Sequence, residues 1–158
     1  MANKKIVTTL SMIHDDKKVL LAMKKRGHGV GKWNGYGGKI NDGETVEQAM
    51  VRELQEESGL LATEFEKRGI ISFDDQNNGD IIEMHIFRIN RFTGEAVETE
   101  EMAPKWFDLV DIPYNEMWES DKKWLPIYFN DDKFIGNVKT ESWDTITRME
   151  EFIIVDNL

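Results

Sequence analysis

GKINDGETVEQAMVRELQEESGL, residues 38–60, is the stretch on which the fold of this chain turns. Asn41-Asp42-Gly43 has turn chemistry, and a helix follows from about Thr45 to Ser58. Thr45 is its N-cap, and Gln48, three residues on, completes a capping box. Glu47 falls in the first turn, where the helix dipole favours an acid. Val46, Met50 and Leu54 recur at i, i+4 and form an apolar stripe. Gly59 stops the helix, because a glycine past the last turn takes the left-handed conformation without strain. The same helix carries Glu53, Glu56 and Glu57 within an arc of about 100°. Glu53 and Glu57, at i, i+4, repel one another. Arg52 is the one cation inside the helix, spaced to pair with Glu56. Two readings stand: a solvated acidic face, or a group of oxygen ligands that gathers a hard cation. The cation would be Mg²⁺, with Mn²⁺ as second choice.

Outward from the helix, the preceding stretch Gly27–Lys39 holds six glycines in thirteen residues. It cannot be helical and lets backbone approach a ligand closely. Before it, Lys5–Ile13 and Val19–Met23 read as a hairpin about the turn His14–Lys17. After the helix, Phe65–Phe73 and Ile81–Phe92 read as strands around a polar turn, Asp74–Asp80, and Lys105–Leu109 as a short strand. Glu116–Asn130 reads as a second, Trp-rich helix that Pro126 splits. Phe134–Thr140 and Thr145–Val155 complete a final hairpin. This order predicts an α+β domain with a curved, mostly antiparallel sheet and two principal helices. Trp124 is expected in the core. His14 and His85 are expected at surface and sheet positions rather than as ligands.

The chain has 158 residues, enough for one domain with a real core, and 40 % of them are apolar. Its net charge of −10 excludes a protein that coats nucleic acid, which needs a basic footprint. No apolar run approaches a membrane span, and no signal peptide is evident. With no cysteine there is no disulfide, thiolate metal site or cysteine nucleophile. These features fit a cytoplasmic protein. Residues 1–39 nevertheless carry nine Lys/Arg against two acids. They form either a solvated surface or a positive rim that holds a small polyanion against a metal on the acidic side.

From Gly38 the spacing is Gly, five residues, Glu44, seven residues, Arg52-Glu53-Leu54, one residue, Glu56-Glu57, one residue, Gly59-Leu60. On this motif the chain resembles the Nudix hydrolases, matching every position of their box. The resemblance implies a single Nudix domain over residues 1–158, a loop–helix–loop on a sheet sandwiched by helices, and hydrolysis of a nucleoside diphosphate linked to another group. It implies that Glu53, Glu56 and Glu57 hold Mg²⁺, helped by a backbone carbonyl of Gly37 or Gly38. Arg52 would orient a catalytic glutamate by a salt bridge, and Glu44 would support the loop. Metal ions neutralise phosphate oxygens and acidify an attacking water, and a carboxylate beside that water can take its proton.

Further segments resemble the branch of the family that hydrolyses oxidised purine nucleoside triphosphates to the monophosphate and pyrophosphate, sanitising the nucleotide pool. They are Met23–Gly27, Lys32–Lys39, Glu101–Phe107, Asp111–Pro113, Met117-Trp118, and Lys133 through Asp144 to Ile146. By that resemblance Asn34 and the acidic group after Trp118 (Glu119, Ser120, Asp121) read the base. Trp118 stacks on it, and Thr9, Lys24 and Phe73 lie near the nucleotide. Tyr36, Gly37, Gly38 and Lys39 line the same site, and Glu101 is a further metal carboxylate. The branch has two adjacent aspartates after its Trp-Pro, where this chain reads Trp118-Glu119-Ser120-Asp121. Ser120 replaces the first aspartate and Asp121 keeps the second. Two neighbouring carboxylates can share a proton and so serve different oxidised purines. One carboxyl predicts a narrower or shifted base preference, with Glu119 a compensating candidate. His28 stands where the branch has Phe and is expected to reshape the pocket rim. The partner is then a purine nucleoside triphosphate, not a nucleic acid polymer or a membrane, and the protein a monomer. Two other functions stay open: the same chemistry on another nucleoside diphosphate derivative, and a non-catalytic nucleotide sensor.

Overall fold

The computed structural model describes residues 3–142 and 145–158; Asp144 of the resembling C-terminal segment lies outside them. The strands are β1 (Lys5–His14), β2 (Lys18–Lys24), β3 (Trp33–Asn34), β4 (Tyr36–Lys39), β5 (Leu61–Asp75), β6 (Ile81–Thr93), β7 (Met102–Asp108), β8 (Lys133–Ser142) and β9 (Thr145–Val155). The helices are α1 (Val46–Ser58) and α2 (Asp121–Phe129). The strand order is β3-β2-β1-β6-β5-β8-β9, with β4 paired to β1 and β7 to β2. Pairing is antiparallel except for β1 with β6 and β5 with β8, so the sheet is mixed, in an α+β fold.

The helix α1 forms as its sequence dictates. Thr45 Oγ1 accepts from Gln48 N at 3.1 Å, and Gln48 Oε1 accepts from Thr45 N at 2.9 Å. Gly59 closes the helix at φ 81°. Met50 and Leu54 are fully buried beside Tyr36 and Phe87, in a core on one face of the sheet. A second core on the other face joins Leu10, Met12, Trp124, Tyr128 and Phe134 beneath α2. The sheet is therefore covered by a helix on each side.

Three expectations need correction. The glycine-rich stretch contains β3 and β4, which share a path broken at Gly35: β3 pairs with β2, and β4 with β1. A Cβ on Gly35 would stand 2.6 Å from the Ser11 carbonyl oxygen. Its bareness, and that of Gly37 against Thr9, admits the protein's own backbone rather than a ligand's. The second helix starts at Asp121, not Glu116. The Asp121 carboxylate accepts from Trp118 N at 3.1 Å, which fixes Trp118–Ser120 in a turn ahead of the helix. Pro126 lies inside α2 without splitting it. The Lys122 carbonyl it leaves unbonded belongs to an exposed residue, and Trp124, Leu125 and Tyr128 anchor the helix.

Candidate active site

A cleft of about 270 Å³ opens on the α2 side of the sheet. Its floor is apolar: Ile6 and Leu10 of β1, Ile82 and Met84 of β6, Phe73 of β5 and Val138 of β8. Parallel pairing of β1 with β6 sets Ile6 opposite Ile82 and Thr8 opposite Met84, and β5 sets Phe73 beside Val138. At one end stand Trp118, Ser120 and Asp121 with Asn34; at the rim stand Lys24, Lys39, Gly37 and Glu57.

Asp121 is buried at the start of α2. Its Oδ1 accepts from Trp124 Nε1 at 2.9 Å, and its Oδ2 from Trp118 N. Burial pushes its carboxyl up to about 7, against the pull of those two donors and of Lys32. His28 stacks on Trp118, with centroids 4.9 Å apart and 26° between planes. Lys32 Nζ lies 5.1 Å from the same ring. Asn34 Oδ1 accepts from Gly35 N at 2.9 Å, which spends one lone pair and fixes the amide at the cleft wall.

Arg52 organises the acidic helix. Its Nε and Nη2 bind both oxygens of Glu44, at 2.7 and 2.9 Å. Its Nη1 donates to Glu53 at 2.9 Å and Glu56 at 3.2 Å, and Nη2 also donates to the Lys39 carbonyl at 3.1 Å. The guanidinium, then the Asn41 N–H, hold the Glu44 carboxyl down to about 2. Among the described residues Glu57 has no arginine partner. It is buried, accepts from Gly37 N at 3.2 Å, and burial raises its carboxyl to about 7; Lys24 opposes that rise, and Glu53 and Glu101 add to it. Glu101 is held by Lys24 at 3.0 Å and Arg26 at 2.7 Å, which keep its carboxyl low.

Among the described residues no three acidic or histidine side chains close on one point as a finished metal site. The reason is visible: Glu53 and Glu56 turn to Arg52, and Glu101 turns to Lys24 and Arg26. The donor set still suits a hard divalent cation. It is all oxygen, and Glu57 is buried under the repulsion of two further carboxylates. A Cβ on Gly38 would sit 2.5 Å from the Glu53 carboxyl carbon, so any other residue there would displace that group.

The cleft thus brings together Thr9, Lys24, Asn34, Gly37, Lys39, Glu57, Phe73, Trp118, Ser120 and Asp121. Tyr36 is not among its walls: alternation along β4 turns it into the core beside Met50 and Leu54. Glu119 is exposed and reaches Lys122 at 3.5 Å, away from the base end. Gly38, Glu44, Arg52, Glu53, Glu56 and Glu101 stand behind or beside the rim rather than in the wall. Much of the basic N-terminal charge is spent internally, as in Lys5–Glu83, Lys25–Glu98 and Arg26–Glu100. Sequence reasoning missed Met84, Ile82 and Val138. Alternation along β6 and β8 marks them as inward, but only the parallel pairings tell which floor they share.

A mixed sheet between two helices, with an arginine-tied acidic helix at the mouth of a nucleotide-sized cleft, defines a Nudix-type hydrolase scaffold. The NUDIX domain model matches residues 4–128, and the chain belongs to that family. Within it, the chain is 45 % identical over 138 residues to the oxidized purine nucleoside triphosphate hydrolase of Danio rerio, covering 87 % of this chain and 88 % of that one. It is 44 % identical to the protein of the same name from Mus musculus, over the same shares. Among solved structures, the mMutator MutT protein from Bacillus halodurans superposes with a TM-score of 0.82 over 93 % of this chain and 97 % of that one. At 22 % identity it shares the fold.

Proposed function

We propose that this protein is a Mg²⁺-dependent pyrophosphohydrolase that cleaves oxidised purine nucleoside triphosphates to the monophosphate and pyrophosphate. The observation that carries this is the single cleft that joins a base-sized end (Trp118, Ser120, Asp121, Asn34) to a rim holding Lys24, Lys39 and the buried Glu57. The names and extents of the two vertebrate relatives support the same substrate class. The enzyme acts as one domain and a monomer in the cytoplasm; among the described residues no helix is long and apolar enough to cross a membrane.

In this assignment Trp118 stacks on the purine, an interaction worth about 1–3 kcal/mol per base in nucleic-acid sites. Asn34 offers amide donors to its edge, and Ser120 with Asp121 reads the remainder. Thr9 and Phe73 flank the nucleotide, and Lys24 and Lys39 attract the phosphates. Glu53, Glu56, Glu57 and Glu101 would hold Mg²⁺ (or Mn²⁺) with a carbonyl of Gly37 or Gly38. The ion would supply charge neutralisation at the phosphate oxygens and acidify the attacking water. Arg52, fixed by Glu44, holds Glu53 and Glu56 in place for that task.

A kcat/KM panel over 8-oxo-dGTP, 2-hydroxy-dATP, dGTP and dATP, with and without Mg²⁺, tests the assignment. Mg²⁺-dependent pyrophosphate release is expected, with the oxidised bases favoured. The two oxidised substrates should differ by about 10-fold or more, since one carboxyl serves one donor–acceptor pattern at a time. Ser120→Asp should move their ratio toward unity. Binding without turnover on every nucleotide overturns the enzyme assignment; parity between the two substrates in the unaltered protein overturns the single-carboxyl account.

Metal should also show in stability. Glu57 and Asp121 keep their protons in the folded chain at a pH where the unfolded chain has lost them. Without metal the fold therefore loses stability as pH rises from about 4 through 7, by roughly 3 kcal/mol for Glu57 at pH 8. A cation at Glu57 takes the proton's place. Mg²⁺ is expected to raise Tm more at pH 8 than at pH 5, and Glu57→Gln to abolish that difference. Equal shifts at both pH values would count against Glu57 as a ligand.

A further inference from the structure

Among the described residues, the buried side-chain polar atoms without a hydrogen-bond partner fall into two groups. His14 Nε2 and Tyr128 Oη are neighbours at the end of α2, with ring centroids 5.1 Å apart. The other four, Thr9 Oγ1, Ser11 Oγ, Tyr36 Oη and His85 Nδ1, belong to side chains on the opposite face of the sheet, the one beneath α1, so Thr9 meets the cleft with its backbone and not its hydroxyl. Strand register brings them together. Thr9 and Ser11 are two apart on β1 and point the same way. Ser11 lies directly opposite Tyr36 of β4, and Thr9 directly opposite His85 of β6. In the antiparallel pair Ser11–Tyr36 the Cβ atoms are about 4.5–5.5 Å apart. All four residues are more than nine-tenths buried.

The four atoms offer donors and acceptors suited to a small neutral ligand. His85 Nε2 stands 2.8 Å from Glu83 Oε1 and donates to it, which leaves Nδ1 as an acceptor. The three hydroxyls each donate and accept. None carries a charge, and a single imidazole nitrogen among three protonated hydroxyls is a poor metal site, so a neutral molecule that both donates and accepts fits the group best. Buried polar groups in folded proteins nearly all have partners, and ordered water supplies them where the protein does not. We propose that the seam between α1 and strands β4, β1 and β6 is an internal water site, in which ordered water bridges Thr9, Ser11, Tyr36 and His85. The site runs from the inner side of the acidic helix, where Tyr36 lies within the field of Glu57, toward the Glu83–Lys5 ion pair at the start of β1. It links β4, β1 and β6 by hydrogen bonds that the side chains do not make to one another.

The sign of two stability changes tests this. If the four atoms were dry, removing one would relieve an unsatisfied group and raise Tm. If water bridges them, removing one strips the water of a partner and lowers Tm. Ser11→Ala and the isosteric Tyr36→Phe are each expected to lower the Tm of the full chain by a few degrees. A crystal structure at about 1.5 Å is expected to show water within 3.2 Å of at least two of the four atoms. A rise in Tm in both variants, or a seam empty of density, overturns the proposal. Neither readout uses activity, so the water site and the proposed reaction fail or stand separately.

Discussion

A Glu57→Gln protein is expected to release pyrophosphate from 8-oxo-dGTP about 100-fold more slowly than the unaltered chain, or slower still, in saturating Mg²⁺. That is roughly 2.7 kcal/mol of lost transition-state stabilisation. The effect is large because Glu57 alone among the three helix glutamates is both buried and in the cleft wall. Glu53 and Glu56 already share Arg52, whereas the Glu57 carboxylate meets only the Gly37 N–H and the more distant Lys24. Gln keeps the volume and an acceptor for Gly37 and removes the charge. The fold should survive, and its metal-free Tm at pH 8 should rise, since the substitution removes a buried charge. Turnover near the original rate would place the metal elsewhere.

Asp121→Asn is expected to lower kcat/KM for 8-oxo-dGTP by about 100-fold and to leave the Mg²⁺ requirement intact. Each Asp121 oxygen accepts from a different donor, Trp124 Nε1 or Trp118 N. An amide has one oxygen, so its nitrogen must face one of those N–H groups. The mismatch costs about 1–3 kcal/mol of stability and withdraws the acceptor from the base end. Kinetics over the nucleotide panel, run beside thermal unfolding, separate the two effects. If the variant loses stability but keeps its discrimination among bases, Asp121 is a prop for the Trp118 turn and not a reader of the base.

How much of this was legible varied with the range of the interaction. The helix α1 was legible to the residue, because Thr45, Gln48 and Gly59 act within one turn of themselves. The strands of the two hairpins were legible from apolar, β-branched runs set about turns. The strands β3 and β4 were not, because six glycines in thirteen residues hide any pattern and the elements are two and four residues long. The start of α2 was misread although its contact is just as local: the Asp121 carboxylate captures a backbone N–H three residues upstream, and its place after Trp118 pointed to the base rather than to a cap. Helical spacing put Glu53, Glu56 and Glu57 in one arc but not at one depth. Glu57 is buried against Gly37 at the cleft wall, while the Glu56 side chain is 59 % exposed. Tyr36 looked like a cleft wall because its neighbours Gly37 and Lys39 are; strand alternation sends it the other way.

The two-sided build of the sheet has an evolutionary consequence. The residues proposed to meet the purine lie on β3, the turn before α2 and the start of α2, while the helix acids ride on α1 across the sheet, and the two sets meet at the rim around Gly37. Substitutions such as Ser120 can accumulate on one side without disturbing the charges on the other. What the enzyme accepts is thus free to drift while the way it cuts stays fixed, and variants with new appetites should retain the same cation requirement.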